Sequence, residues 1–135
     1  MAGRHAVTQH TGMAEHNDFG RAAEDLAARF LEGRGWTVLH RNWRFRHKEI
    51  DLVVRRGAVV AFVEVRARRS TSFGHPLATV GWRKRREVAA AARAWLVRHG
   101  GPADACRYDV VAVLDPAGRA GSGARLEHIP DAWRA

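Results

Sequence analysis

The hydrophobic positions of this chain change period as they run, and each change marks an element. From Phe19 the spacing is helical: Ala23, Leu26, Ala27, Phe30 and Leu31 recur at i, i+3, i+4 and i+7, one stripe of an amphipathic helix. Asn17 or Asp18 can cap this helix, and the Gly33/Gly35 region stops it. Trp36 to Leu39 opens a strand, either extended or resumed after a bend through Arg41 to Arg46. Two runs rich in β-branched residues follow, near 48–55 and 58–67, joined by Arg55-Arg56-Gly57-Ala58, which is short enough for a hairpin turn. Arg68 to Val80 contains Ser, Thr, Gly74 and Pro76 and reads as a loop. Helical spacing returns from about Gly81 to His99, with Val88, Ala91, Ala92, Trp95, Leu96 and His99 on one stripe, and Gly100-Gly101-Pro102 ends it. Tyr108 to Leu114 is a strand, Asp115-Pro116-Ala117-Gly118 a turn, 117–124 a mobile Gly/Ala/Ser-rich loop, and Arg125 to Ile129 a weak last strand.

Residues 1–16, with His5, His10 and His16, lack periodicity and read as a flexible arm before a single domain over 17–135. The order is therefore αβββαβ with an optional final strand, an α/β fold with a mixed central sheet flanked by helices. The helix between the third strand and the Tyr108 strand calls for parallel pairing somewhere in that sheet.

The hairpin carries acids among apolar neighbours, as Lys48-Glu49-Ile50-Asp51-Leu52-Val53-Val54 and Val59-Val60-Ala61-Phe62-Val63-Glu64-Val65-Arg66. In a strand, residues i and i+2 share a face, so Glu49 lies beside Asp51, and Glu64 beside Arg66. A two-residue turn at Arg56-Gly57 would pair Arg55 with Ala58, and a four-residue turn would pair Arg55 with Val60. Either puts Asp51 and Glu64 on one face, whereas a three-residue loop would separate them. Gathered acids on an apolar sheet are costly unless a cation neutralises them. Carboxylates from adjacent strands suit Mg²⁺ or Mn²⁺, with water and a substrate phosphate completing the shell. The competing reading is a half-exposed sheet whose acids pair with nearby arginines.

Composition narrows the partner. The chain has 135 residues, 46% hydrophobic with five Trp, enough for one folded domain with a real core. Its net charge of +9, from 23 Lys+Arg against 14 Asp+Glu, favours a polyanion, with nucleic acid ahead of an anionic membrane surface, although genome bias toward Arg also raises this number. A single cysteine, Cys106, excludes an internal disulfide and a Cys-based metal cage, and reads as a structural thiol. No apolar run is long enough to span a bilayer, and the N-terminus lacks a secretory hydrophobic segment, so the expected compartment is the cytoplasm.

Two helical residues bear on the acidic face. Glu24 lies at the border of the first helix's apolar stripe, from where it can reach toward Asp51; otherwise it is an exposed helix glutamate. Lys84 starts the apolar face of the second helix and can supply an ammonium at the sheet edge, or else belongs to a solvated basic run. Basic clusters flank the hairpin. They hold Arg41, Arg44 and Arg46 interleaved with Trp43 and Phe45, then Arg68 and Arg69, then Arg83, Arg85 and Arg86, the layout expected for gripping phosphates.

These residues carry a resemblance. Gly20-Arg21-Ala22-Ala23-Glu24, Arg41-Asn42-Trp43-Arg44, Glu49-Ile50-Asp51-Leu52-Val53, Phe62-Val63-Glu64-Val65-Arg66-Ala67-Arg68, Lys84-Arg85-Arg86, Arg107-Tyr108-Asp109-Val110-Val111-Ala112-Val113 and His128-Ile129-Pro130 resemble the YraN-like family of small bacterial proteins. That family has a restriction-endonuclease-like PD-(D/E)xK core, similar to archaeal Holliday junction resolvases. The resemblance implies a Mg²⁺- or Mn²⁺-dependent endonuclease-like site, with Glu24, Asp51 and Glu64 as metal acids, Glu49 beside them, and Asp109 structural or supporting. DNA is then the expected partner ahead of RNA, and a homodimer would suit a resolvase. Two positions depart from the pattern: Arg66 stands where it has lysine, and Lys48 where the family usually has glycine. Arg66 keeps its proton throughout the physiological range, which leaves room for a non-catalytic binding module or structural partner on the same scaffold.

Overall fold

The computed structural model describes residues 11–70, 80–101 and 104–135, with side chains from residue 17 onward. The loop expected over 68–80 falls largely outside these residues, as do the first ten residues of the expected arm. Among the described residues two helices enclose a five-stranded sheet. These are α1 (Thr11–Glu32), β1 (Thr37–Phe45), β2 (Lys48–Arg56), β3 (Val59–Arg68), α2 (Trp82–His99), β4 (Ala105–Leu114) and β5 (Arg125–Trp133). The strands lie side by side in chain order, all neighbours antiparallel except β3 and β4, which run parallel with α2 as the crossover. The expected mixed α/β architecture is the one observed.

Each face of the sheet is covered by one helix, which explains why the first half of β3, Val59 to Val63, is apolar on both sides. On one side, Ala23, Ala27 and Leu31 of α1 pack on Leu52, Val54, Ala61, Val63, Val111 and Val113. On the other, Val88, Ala91, Ala92 and Trp95 of α2 pack on Ile50, Val53, Val60, Phe62 and Val110. Glu64 and Arg66 alternate with Val63, Val65 and Ala67, which belong to the α1 layer, and so face the α2 side.

Several boundaries differ from the sequence reading. Helix α1 begins at Thr11, ahead of the expected Asn17/Asp18 cap, since the intervening residues contain no proline to stop it. The last strand runs to Trp133, whose ring stacks on Tyr108 at 4.0 Å between centroids, an anchor that alternation alone did not reveal. The loop expected to be mobile is organised around the buried Asp115, whose carboxylate accepts from the N–H groups of Ala117, Arg119 and Gly121. Cys106 is free and exposed on β4, so it is no core thiol.

The acidic hairpin turns at Gly57-Ala58. Arg56 pairs with Val59 and Arg55 with Val60, one of the two registers that keep Asp51 and Glu64 together. Gly57 has φ +61°, the conformation required at the first position of a tight hairpin turn whose second residue has negative φ. Gly57→Ala would force a Cβ into that left-handed conformation, at about 1–2 kcal/mol. Urea unfolding should move its midpoint down with an unchanged slope, and an unchanged midpoint would mean that the turn relaxes freely.

Candidate functional site

Asp51 stands where two ladders break. The β1–β2 register passes from Arg41↔Leu52 to Trp43↔Ile50 and leaves Asn42 and Asp51 unpaired between them, while β2–β3 pairing stops at Leu52↔Val63. Asn42 takes φ +49°, a left-handed conformation that Asn tolerates better than most residues. Ile50 and Val53 consequently both face the α2 layer, although three residues apart, with Leu52 on the opposite side. Strict alternation fails at Asp51, and its carboxylate takes up the slack: Oδ2 accepts from the Val65 N–H at 2.8 Å.

Partial burial pushes the Asp51 carboxyl up to about 7. The negative charges of Glu24 and Glu64 push the same way, against the Val65 N–H and the Lys84 ammonium. Glu64 supplies a second unsatisfied acid. Its Oε2 is buried without a hydrogen-bond donor, and Arg66 Nη2 lies 3.6 Å away, an ion pair too long to be a hydrogen bond. Glu49, Asp51, Glu64 and Lys84 line one narrow cleft with the apolar Ile50, Phe62, Val63 and Val88. Lys84 reaches it from the exposed first turn of α2.

Glu24 joins from α1. Burial raises its carboxyl above the ordinary value, an Asn42 side-chain hydrogen bond lowers it, and the charge of Glu49 raises it again. Glu49 is itself held by Arg44 Nε at 3.2 Å. Asn42 is thus a site residue that charge and motif reasoning passed over. Its signal was a β-disfavoured residue in the middle of a strand.

Among the described residues, no group of three or more His, Cys, Asp or Glu stands close enough to hold a metal ion on protein ligands alone. The donor chemistry nevertheless fits a hard divalent cation. One carboxyl is kept protonated near neutrality and one buried carboxylate oxygen lacks a donor, and Mg²⁺ takes only one or two carboxylates when water and phosphate fill its shell.

Comparison with known proteins places this chain in a family. The model of "Uncharacterised protein family UPF0102" matches residues 23–113, the stretch that holds Glu24, Asp51, Glu64, Lys84 and Asp109. The chain belongs to this family. A UPF0102 protein of Anaeromyxobacter dehalogenans is 49% identical over 114 residues, covering 84% of this chain and 82% of the relative. UPF0102 proteins of Myxococcus xanthus and Burkholderia ambifaria are similar as well. The first is 42% identical over 90% of this chain and 94% of its own length, the second 44% over 97% and 87%.

The arginines expected to rim the site separate in this UPF0102 chain. Arg41 is paired with Asp25 and Arg44 with Glu49, Arg46 lies over the Phe45 ring, and Arg68 and Arg69 donate to the carbonyls of Ala67 and Pro116. The third cluster does share a hollow. Arg83, Arg85 and Arg86 line an open groove of about 830 Å³ with Lys48, Trp82, Glu87, Ala89, Ala90, Arg93 and Arg134. Trp43 and Phe45, expected to interleave with cations for stacking, instead pack against the α2-side core. Lys48 closes the β1–β2 hairpin opposite Phe45, and the positive φ of that turn falls on Arg46.

Asp109, read from the sequence as structural or supporting, lines the same cleft and is held by a network of its own. It is 1% exposed and meets Arg107 through two bonds at 2.9 and 2.8 Å, His128 Nε2 at 2.8 Å and the Asp131 N–H at 2.9 Å. Burial alone would raise its carboxyl, but these partners outweigh burial and hold it below the ordinary value. No described helix is long and apolar enough to cross a membrane.

Proposed function

We propose that this UPF0102 protein is a divalent-metal-dependent, resolvase-like nuclease that cuts phosphodiester bonds in DNA at the Asp51/Glu64 cleft. One observation carries the reading. A carboxyl held near pH 7 and a carboxylate oxygen buried without a donor share a cleft rimmed by Lys84. Such acids are unfavourable on their own and are relieved by a cation. Asp51 and Glu64 would hold Mg²⁺ or Mn²⁺, with Glu24 adding negative charge beside them. When bound, the metal polarises the phosphoryl group and lowers the pKa of a water.

The chain's own side chains do the positioning. The Val65 N–H fixes one oxygen of Asp51, whose side chain lines the cleft. Lys84 offers an ammonium to the phosphate that approaches from α2. Arg66, set against Glu64, neutralises accumulating charge but cannot pass a proton. Purified protein should cut branched or flapped DNA with Mg²⁺ or Mn²⁺ and stop with EDTA, and Asp51→Asn or Glu64→Gln should each lower cutting at least ~100-fold. Undiminished cutting by both variants would move the activity elsewhere.

The Arg66–Glu64 ion pair favours a second reading, a binding module without chemistry, because it satisfies part of the charge a metal would need. Steeply salt-dependent DNA binding, indifferent to EDTA and with no cutting under any metal, would select it.

A further inference from the structure

Trp82 opens α2 and is 63% exposed, whereas Trp36, Trp95 and Trp133 are buried in the core. Its ring lies within reach of two guanidinium groups, Arg83 at 5.9 Å and Arg86 at 5.6 Å from the centroid. It lines the open groove with Lys48, Arg83, Arg85, Arg86, Arg93 and Arg134, of which Arg134 is paired with Asp131, and with one acidic side chain, Glu87. Two guanidinium groups against the ring and six cationic side chains along the groove select against an apolar protein surface. An aromatic face among cations is the chemistry that holds unpaired nucleobases, with the ring stacking on a base and the guanidinium groups meeting phosphates.

The groove and the acidic cleft are lined by neighbouring residues of β2 and α2. Lys48 lines the groove and Glu49, the next residue, lines the cleft. On α2, Trp82 belongs to the groove and Lys84 to the cleft, and Glu87 and Val88 divide in the same way. A strand lying in the groove therefore runs past the first turn of α2, which also carries Lys84 of the cleft. We propose that the groove binds single-stranded DNA, with an unpaired base stacked on Trp82, so that the preferred substrate carries an unpaired stretch next to the bond presented to Asp51 and Glu64. The substrate preference rests on the nuclease reading above, while the binding does not.

The test uses the full chain in EDTA, so that DNA stays intact, with a fluorescently labelled oligonucleotide offered single-stranded or as a blunt duplex at low salt. The expected result is tighter binding of the single strand, with quenching of the exposed tryptophan. Trp82→Ala should weaken single-strand binding roughly ten-fold or more and leave duplex binding unchanged, and Trp82→Phe should retain most of it. Single-strand affinity unchanged in Trp82→Ala, or an equal loss on both forms, would overturn the proposal. Binding of neither form by wild type would also overturn it and leave the ring to a protein partner. The two readings fail separately. If Asp51→Asn still cuts while Trp82→Ala loses single-strand binding, the nuclease reading falls and the groove stands. If Asp51→Asn stops cutting while Trp82→Ala binds and cuts as wild type, the reverse holds.

Discussion

Asp51→Asn is expected to unfold at a higher temperature than the wild-type chain at pH 8, by roughly 3–10 °C, and at the same temperature at pH 4. The direction follows from the proton. Burial raises the folded carboxyl from 3.8 to about 7, so between these values the folded chain binds a proton that the unfolded chain has released. Wild-type stability therefore declines as pH rises from about 4 to about 7, and above 7 the loss is complete. Asparagine cannot ionise, yet it keeps an acceptor for the Val65 N–H, so the variant escapes the decline without losing the bond that seats the side chain. The raised carboxyl corresponds to a ceiling of ~4 kcal/mol, and partial exposure brings the expectation to ~1–3 kcal/mol. Thermal unfolding across pH reads it directly. A gap of equal size at pH 4 and pH 8 would refute a charge origin. Added Mg²⁺ should raise the wild-type melting temperature at pH 8 and leave the variant's almost unmoved, since only a site with both acids gains from the cation.

Asp109→Ala should be the most damaging of these substitutions, at ~2–4 kcal/mol, because it strips a buried carboxylate from three half-buried or exposed partners at once. Arg107 would lose both of its bonds to the carboxylate, His128 one, and the Asp131 N–H its acceptor. The Arg107 guanidinium also lies over Trp36, whose ring meets His128 edge-on, so the damage would spread along the β4–β5 side of the sheet. The pH dependence has the opposite sign to that of Asp51. The folded carboxyl lies below its unfolded value, so its contribution is present above the ordinary carboxylate range and is lost as pH falls through the folded value. Urea titrations at pH 7 and pH 3 should show a large gap between wild type and variant at the first and a smaller one at the second. A loss below ~1 kcal/mol at pH 7 would mean that water replaces the carboxylate without strain. The exposed ion pair Arg134–Asp131 provides the contrast, since surface pairs of that kind contribute little.

The fold was legible where burial imposes a period. The α1 stripe read from Ala23, Ala27 and Leu31 is the stripe that packs, and the mixed sheet flanked by helices that the element order implied is the one the two helices enclose. Where local signals conflicted, the reading slipped. A capping residue is only permissive, so Asn17 and Asp18 did not begin α1. The aromatics of Trp43 and Phe45 resembled a stacking surface because their cationic neighbours alternate with them, and the same alternation turns the rings inward. Trp82 was hidden by the converse problem, a lone aromatic in a basic helical run that no periodic pattern marks as exposed.

Sequence by itself determined the element order, the hairpin that carries Asp51 and Glu64, and the acids that could share a site, because spacing and side-chain chemistry are local properties. Tertiary structure decided what those acids experience. The double break in pairing at Asn42 and Asp51, the missing donor at Glu64 Oε2 and the nearness of cleft and groove along α2 arise only when α1, α2 and three strands close around one point. A carboxyl's proton affinity depends on surrounding charge and excluded water, and neither is written in the order of residues along the chain.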